Sequence, residues 1–468
     1  MSRKGIHSRW LTVALATLVM FALVITPLAG CAQQPAATPT TAPPAPTKAA
    51  EPTKAPAAAP TQAPAAAPTK AAKQPKEVVI GYSAPLSGVA AEYGKDNVNG
   101  VDMAIKEINA AGGIEVGNYQ VTFKLEALDD AADPTQSVNN ARRLRNQSKA
   151  IAVFNPVYTG IAPTMKINEE PGNEFLMMAY TSTPAASQQG NKLLIAIPPP
   201  FTSYVHAFVE HAKKQGWKKC AMVVTLGAYG DEWRKDFKKQ FEAAGGTITA
   251  DKPANYYTET DFSSQLTAAI ATNPDFLLIG GPSAPTGLVI EQARNLGFKG
   301  GFAVIDQAKQ DYIAEMVLKG RSLMEGLVGV VSVAEVPTQM APVWVKKYKE
   351  QYKTMETWEA ILNYTAMNAL ALAMQKAGTP DDVKAIRAAF PQVLPMTGDK
   401  YPVECWEVAE GGRLGIAATI AAVKDGKSTT PQYYAHWPKT EADFNKLKET
   451  VLKNATGPME VYWQKPTE

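Results

Sequence analysis

Cysteine is scarce in this chain: Cys31, Cys220 and Cys405 are the three present in 468 residues. So few thiols exclude a fold framed by disulfides. Cys220 and Cys405 could pair in an oxidising compartment, but the reading favoured here is two unpaired, buried thiols. The four histidines are His7, His206, His211 and His436. His206 and His211 stand five residues apart on one helical segment, a poor spacing for a shared metal face, so both read as ordinary helix surface and no metal site is expected. Also missing are GxSxG, P-loop, HExxH and CxxC motifs and a typical dinucleotide fingerprint. No catalytic residue is assigned, and the chain reads as a non-enzyme without cofactor. A one-signed charge is lacking too, since 47 basic residues face 44 acidic ones for a net +3. Arg3, Lys4 and Arg9 contribute +3, and Lys48, Lys54, Lys70 and Lys73 less Glu51 contribute another +3, so residues 76–468 carry about −3. That excludes the basic footprint of a nucleic-acid binder.

What is present begins at the amino terminus. Behind the three basic residues, Trp10 to Leu28 contains no charge and reads as an export signal. It ends in Leu28-Ala29-Gly30-Cys31, which resembles the lipobox of bacterial lipoproteins, where the thiol receives the lipid. Residues 1–30 are therefore expected to be a lipoprotein signal peptide and Cys31 the lipidation site. The alternative is an uncleaved transmembrane anchor, because about 20 apolar residues can span a bilayer. Either reading places the rest of the chain outside the cytoplasm, held to the cell membrane and facing the periplasm or the exterior.

Residues 31–76 are expected to be a disordered linker. Between 32 and 75 the chain is almost wholly Ala, Pro, Thr, Lys and Gln, with eleven prolines and no aromatic residue, which cannot form a core. Extended at about 3.1 Å per residue, such a tether reaches on the order of 100 Å. From Glu77 onward, short apolar strands alternate with amphipathic helices. Glu77–Tyr82 is a strand, and Val98, Val101, Ala104, Ile105 and Ile108 mark the first helix, which Gly112-Gly113 closes. Asp133-Pro134 reads as an N-cap with proline at the first helical position. A second series follows Pro198-Pro199-Pro200, in which Trp233, Phe237 and Phe241 form one helical stripe. Strands alternating with helices of this length predict an α/β fold of two doubly wound parallel-sheet lobes.

In such sheets ligands lie beyond the carboxyl ends of the strands. The loops there are rich in hydroxyls. Thr159-Gly160 stands at a helix start, where free amides suit an anion, and Thr181, Ser182 and Thr183 offer donors and acceptors. For any single one of these, capping or ordinary turn chemistry is the competing explanation; their joint placement points to a site. Ser283 lies in the corresponding loop of the second series. Asp306 is the acidic residue chosen to meet a ligand ammonium, because a charge entering a closed cleft needs a partner. Tyr93 and Tyr229 are candidate walls, although aromatics in such loops are as often core.

Taken together, the residues resemble the leucine/isoleucine/valine-binding type of periplasmic solute-binding proteins that serve ABC importers. The similarity rests on Ile80-Gly81, Pro85-Leu86-Ser87-Gly88, Tyr93-Gly94, Asn99-Gly100, Ile108 to Ile114, Asp129-Asp130 with Asp133-Pro134, Tyr229-Gly230 and Gln292 to Gly297. It implies a type I fold whose chain crosses three times through a hinge, near 198–200, 325–330 and 404–415. Residues 77–199 with 328–410 would form lobe 1, and 200–327 with 411–468 lobe 2. The tail past 427 is expected to wrap the second lobe. By resemblance, Tyr158, Thr159, Thr181 and Thr183 meet the ligand's polar ends, Asp306 its ammonium and Tyr93 its side chain. Two departures stand out: Tyr158 replaces an expected serine, and Pro282-Ser283 replaces an expected aromatic. The implied function is capture of an amino acid or amino-acid-like molecule by a monomer that delivers it to an ABC permease. A ligand-sensing lipoprotein, a receptor for an amide, urea or an aromatic acid that feeds a signalling partner, is the alternative.

Overall fold

The computed structural model describes residues 73–465. The expected signal peptide, Cys31 and the linker as far as residue 72 lie outside the described residues. The chain from Gln74 builds β1 (Gln74–Ala84), α1 (Ala91–Ala110), β2 (Ile114–Val116), β3 (Tyr119–Asp129), α2 (Pro134–Asn146), β4 (Ala152–Asn155), α3 (Tyr158–Thr164), β5 (Leu176–Ala179), α4 (Pro184–Gln188) and β6 (Leu194–Ala196). These strands form one sheet in the order β2-β3-β1-β4-β5-β6. The strand opens earlier than its apolar run because the ladder with β3 already pairs Gln74 with Tyr119. Gln74, Pro75 and Lys76, expected in the linker, are therefore part of β1. Asp133 caps α2 as expected, its carboxylate accepting from Gln136 N at 2.8 Å.

The second series runs through α5 (Phe201–Gln215), β7 (Lys219–Val224), α6 (Ala228–Ala243), β8 (Thr247–Asp251), α7 (Ser263–Ile270), β9 (Phe276–Gly280), α8 (Ser283–Asn295), β10 (Gly301–Val304), α9 (Gln310–Tyr312) and β11 (Leu327–Val330). The chain then supplies α10 (Met340–Tyr352), α11 (Trp358–Ala377) and α12 (Val383–Ala389) to the first lobe. Gly100 lets α1 and α11 pack backbone to backbone, since a Cβ there would lie 2.0 Å from Ala360 O. Finally β12 (Ala418–Lys424), β13 (Lys427–Ser428), β14 (Gln432–Ala435), α13 (Glu441–Asn454) and β15 (Glu460–Trp463) extend the second sheet, whose order is β15-β14-β12-β11-β10-β9-β7-β8.

Hydrogen bonding moves two of the expected crossings. β11 pairs with β10 and β12, so residues 328–330 belong to the second sheet and the return to the first lobe starts at Val331. Leu414 N donates to Ala196 O at 2.9 Å, which keeps residues near 411–414 on the edge of the first sheet until β12 begins. An unpaired edge strand recruits whatever backbone passes it, and sequence patterning does not register that.

The tail packs rather than trails. Tyr433, Trp437, Phe444 and Val461 form a small core of their own beside β14 and β15. That packing corrects the reading of His206 and His211 as surface. Both are half-buried, His206 edge-on to Tyr434 from β14 and His211 edge-on to Trp217. Burial lowers the His211 imidazole to about 4. Cys220 and Cys405 are free and buried. Among the described residues no helix is long and apolar enough to cross a membrane.

Candidate functional site

The loops at the carboxyl ends of β4, β5, β7 and β10 face one another across a cavity of about 550 Å3, including its mouth. The site is therefore built from both sheets. On the first-lobe side the turn after β4 is set by a buried network: Ser83, Ser137 and Asn155 all donate to Asp130 Oδ2, at 2.8, 2.9 and 3.2 Å. Asn155 Oδ1 in turn accepts from Val157 N at 2.9 Å, which starts α3 with Tyr158 and Thr159 at the cavity wall. Gly160 N and Ile161 N both donate to Val157 O, so the Gly160 amide is already engaged. Tyr93 reaches the wall from α1, but its hydroxyl donates to Pro156 O at 2.8 Å. It offers a ring face rather than a free hydroxyl.

The turn after β5 is held by a residue far along the chain. Arg413, 3% exposed, donates to Thr181 O at 2.9 Å, Pro198 O at 2.7 Å and Thr183 O at 2.8 Å. One guanidinium thus ties the chain just before the third crossing to the first crossing and to the loop that presents Thr181 and Ser182. Burial lowers its pKa to about 10, with the nearby Asp306 carboxylate opposing that shift. It remains a cation at neutral pH.

Asp306 is the centre of the second-lobe wall. Tyr229 OH donates to its Oδ1 at 2.5 Å and Trp233 Nε1 to the same oxygen at 2.8 Å, so neither contact engages Oδ2. Burial raises the Tyr229 phenol well above its ordinary value and Asp306 adds to this, so the phenol keeps its proton and its role as donor. Lys309 pairs with Glu359 at 2.7 Å, and both side chains are 3% exposed. Lys309 follows β10 of the second sheet, whereas Glu359 opens α11, which packs on α1. The pair consequently joins the two lobes behind the cavity.

Of the residues expected from sequence, Tyr93, Tyr158, Thr159, Thr181, Ser182, Tyr229 and Asp306 share the cavity wall. Thr183 and Ser283 do not. Thr183 is fully buried at the N-cap of α4, where its carbonyl serves Arg413. Ser283 Oγ accepts from Lys309 N at 3.0 Å and shapes the loop after β10. Ser283 rests on loop location and Thr183 on location and resemblance, and neither fixes the direction of a side chain. Tyr257, Lys309, Glu359 and Arg413 were not anticipated. Lys309 lies only three residues past Asp306, a signal that could have been used; nothing local marks the other three. Among the described residues no group of three or more His, Cys, Asp or Glu side chains could hold a metal ion.

Comparison with known proteins agrees with this geometry. A family model for periplasmic binding proteins matches residues 77–427. A leucine-, isoleucine-, valine-, threonine- and alanine-binding protein of Pseudomonas aeruginosa is 24% identical over 315 residues, covering 66% of this chain and 81% of its own. A Leu/Ile/Val-binding protein of Rhizobium johnstonii is 27% identical over 319 residues, covering 67% and 83%. Among solved structures, a leucine-binding protein of Thermotoga maritima superposes with a TM-score of 0.64 at 24% identity over 75% of this chain and 97% of its own. An ABC-transporter solute-binding protein of Rhodopseudomonas palustris in complex with benzoate gives 0.65 at 17% identity, covering 76% and 95%.

Proposed function

This chain belongs to the periplasmic binding proteins, and from that premise we propose that it captures an amino acid or amino-acid-like molecule between its lobes as the lipoprotein receptor of an ABC importer. The relatives and the fold are those of binding proteins of transport systems, not of enzymes. The observation that carries the reading is Asp306, placed in the cleft with one carboxylate oxygen oriented by Tyr229 and Trp233 and the other unengaged by them. A carboxylate held this way suits an ammonium. Opposite it, Thr181, Ser182 and the start of α3 supply uncharged groups suited to a carboxylate. On the cavity wall Lys309 is matched by Glu359, which leaves Asp306 as the charge for a ligand ammonium to meet.

Binding then works without chemistry. A ligand touching both walls binds the closed arrangement better than the open one, and by that difference alone it shifts the lobes toward closure. The closed form is the one an ABC permease would receive, and the lipid at Cys31 with its linker would keep the receptor near that partner.

The test is thermal unfolding of the full chain in detergent against amino acids, amides, urea and aromatic acids including benzoate. A ligand at 100 times its Kd adds about 2.7 kcal/mol and raises the midpoint clearly. A rise with amino acids is expected. A rise confined to compounds without an ammonium group would sink the role given to Asp306 while leaving a binding protein.

A further inference from the structure

Gln307 follows Asp306 at the cavity wall and is 7% exposed. Its Nε2 donates to Tyr257 OH at 2.8 Å, which anchors one end of the amide. Its Oε1 is buried without a hydrogen-bond partner. A buried carbonyl in that state has given up its bonds to water and gained nothing in return. No neighbour on this wall is placed to help. Lys309 Nζ is taken up by the carbonyls of Asp306 and Gln307 and by Glu359, and the Tyr229 and Trp233 donors are taken by Asp306. Turning the amide over exchanges the problem without removing it: Tyr257 would donate to Oε1, and the NH2 group would be the end left unpaired. In both orientations one polar end of the Gln307 amide awaits a partner from outside the chain.

We propose that Gln307 is a specificity-determining residue that reads a carboxamide side chain on the ligand, so that the captured class is amino acids bearing a side-chain amide rather than aliphatic ones. The proposal rests on the amino-acid reading above, in which Asp306 takes the ammonium and the first-lobe hydroxyls the carboxylate. That leaves the Gln307 amide for the side chain. A carboxamide both donates and accepts, so it satisfies Gln307 in either orientation. An aliphatic side chain satisfies it in neither, and closure over one would leave the buried group without a partner. Sites built with buried polar groups reject analogues that leave those groups unpaired.

The experiment is calorimetric titration of the full chain in detergent with L-asparagine and L-glutamine, set against L-leucine and L-methionine, which resemble them in size without the amide. At least one amide is expected to bind about tenfold or more tighter than its apolar counterpart. Gln307→Met should bring the two to within a few-fold, with the unfolding midpoint of the unliganded protein held within about 2 °C. Tyr257→Phe, which frees the amide without removing it, should weaken the amide ligand selectively and serves if Gln307→Met does not fold. Apolar ligands binding as tightly as amides, or an amide preference that survives in both variants, overturns the role of Gln307 and leaves amino-acid capture standing. If none of the four binds at millimolar concentration, the amino-acid reading itself fails, and this proposal with it.

Discussion

On the first-lobe side of the cleft, the wall is made of Thr159, Thr181 and Ser182 with the start of α3, and none of these carries a formal charge. Across from them the second lobe presents Asp306 and Lys309, and each arrives already partnered, Asp306 by Tyr229 and Trp233 and Lys309 by Glu359. Thr181 and Ser182 are themselves buried, and the Ser182 hydroxyl has no partner among the described residues, but an unpaired hydroxyl costs far less than an unpaired charge. Charges of low exposure cannot be left so, and their partners must be provided by the fold before any ligand arrives. Substitutions on the charged wall should therefore disturb binding or folding strongly, whereas those on the hydroxyl wall should reduce affinity modestly and leave folding alone.

The largest effect is expected from Asp306→Ala. Truncating one member of a buried charge pair costs about 2–4 kcal/mol, or roughly 30- to 1000-fold in affinity for an ammonium-bearing ligand, read by calorimetric titration. Unchanged affinity would remove Asp306 from the site and end the contrast between the walls. Next comes Arg413→Met, which strips the donors from three buried carbonyls and should lower stability by about 2–3 kcal/mol in urea unfolding. A loss within 0.5 kcal/mol, the ordinary range for an unimportant site, would mean that the hydroxyl wall does not need this cation behind it. Thr181→Val should cost affinity about 1 kcal/mol, near fivefold, with stability almost unchanged; a comparable loss of stability would break the proposed separation.

The last effect concerns a carboxyl of α1. Burial raises Glu92 of α1 to about 7, and the Glu359 carboxylate pushes it in the same direction. A carboxyl whose pKa is higher in the folded state binds more protons folded than unfolded, so stability should fall as pH rises from about 4.5 to about 7. Glu92→Gln should flatten that slope, stabilising the protein at pH 8 with no change at pH 4, measured by urea unfolding at the two values. An identical slope in the variant would assign the titration to another group.

Most of the fold is legible in the sequence, for local reasons. The stripe Trp233, Phe237 and Phe241 is buried as its spacing required, and Asp133 caps α2 as its place before Pro134 suggested. The site was legible only as a set of loops. Asp306 is marked by its place at a strand end, where a ligand ammonium entering a closed cleft needs a partner, yet Thr183 and Ser283, from similar strand-end loops, turn into the protein. His206 and His211 were misread because Trp217 and the tail strand carrying Tyr434 stand against them.

The sequence by itself determined the alternation of strands and helices, the two sets of apolar strands, the caps and the group of hydroxyl-rich loops, because each depends on backbone preference and on burial periods a few residues long. The tertiary structure alone decided which hydroxyls face the cleft, that Arg413 holds a loop 232 residues away through Thr181, that Lys309 and Glu359 join the lobes, and that one end of the Gln307 amide stays unpaired. Those outcomes depend on which distant groups share a low-dielectric space, and such a group must find a partner among its neighbours in space, whatever their distance along the chain.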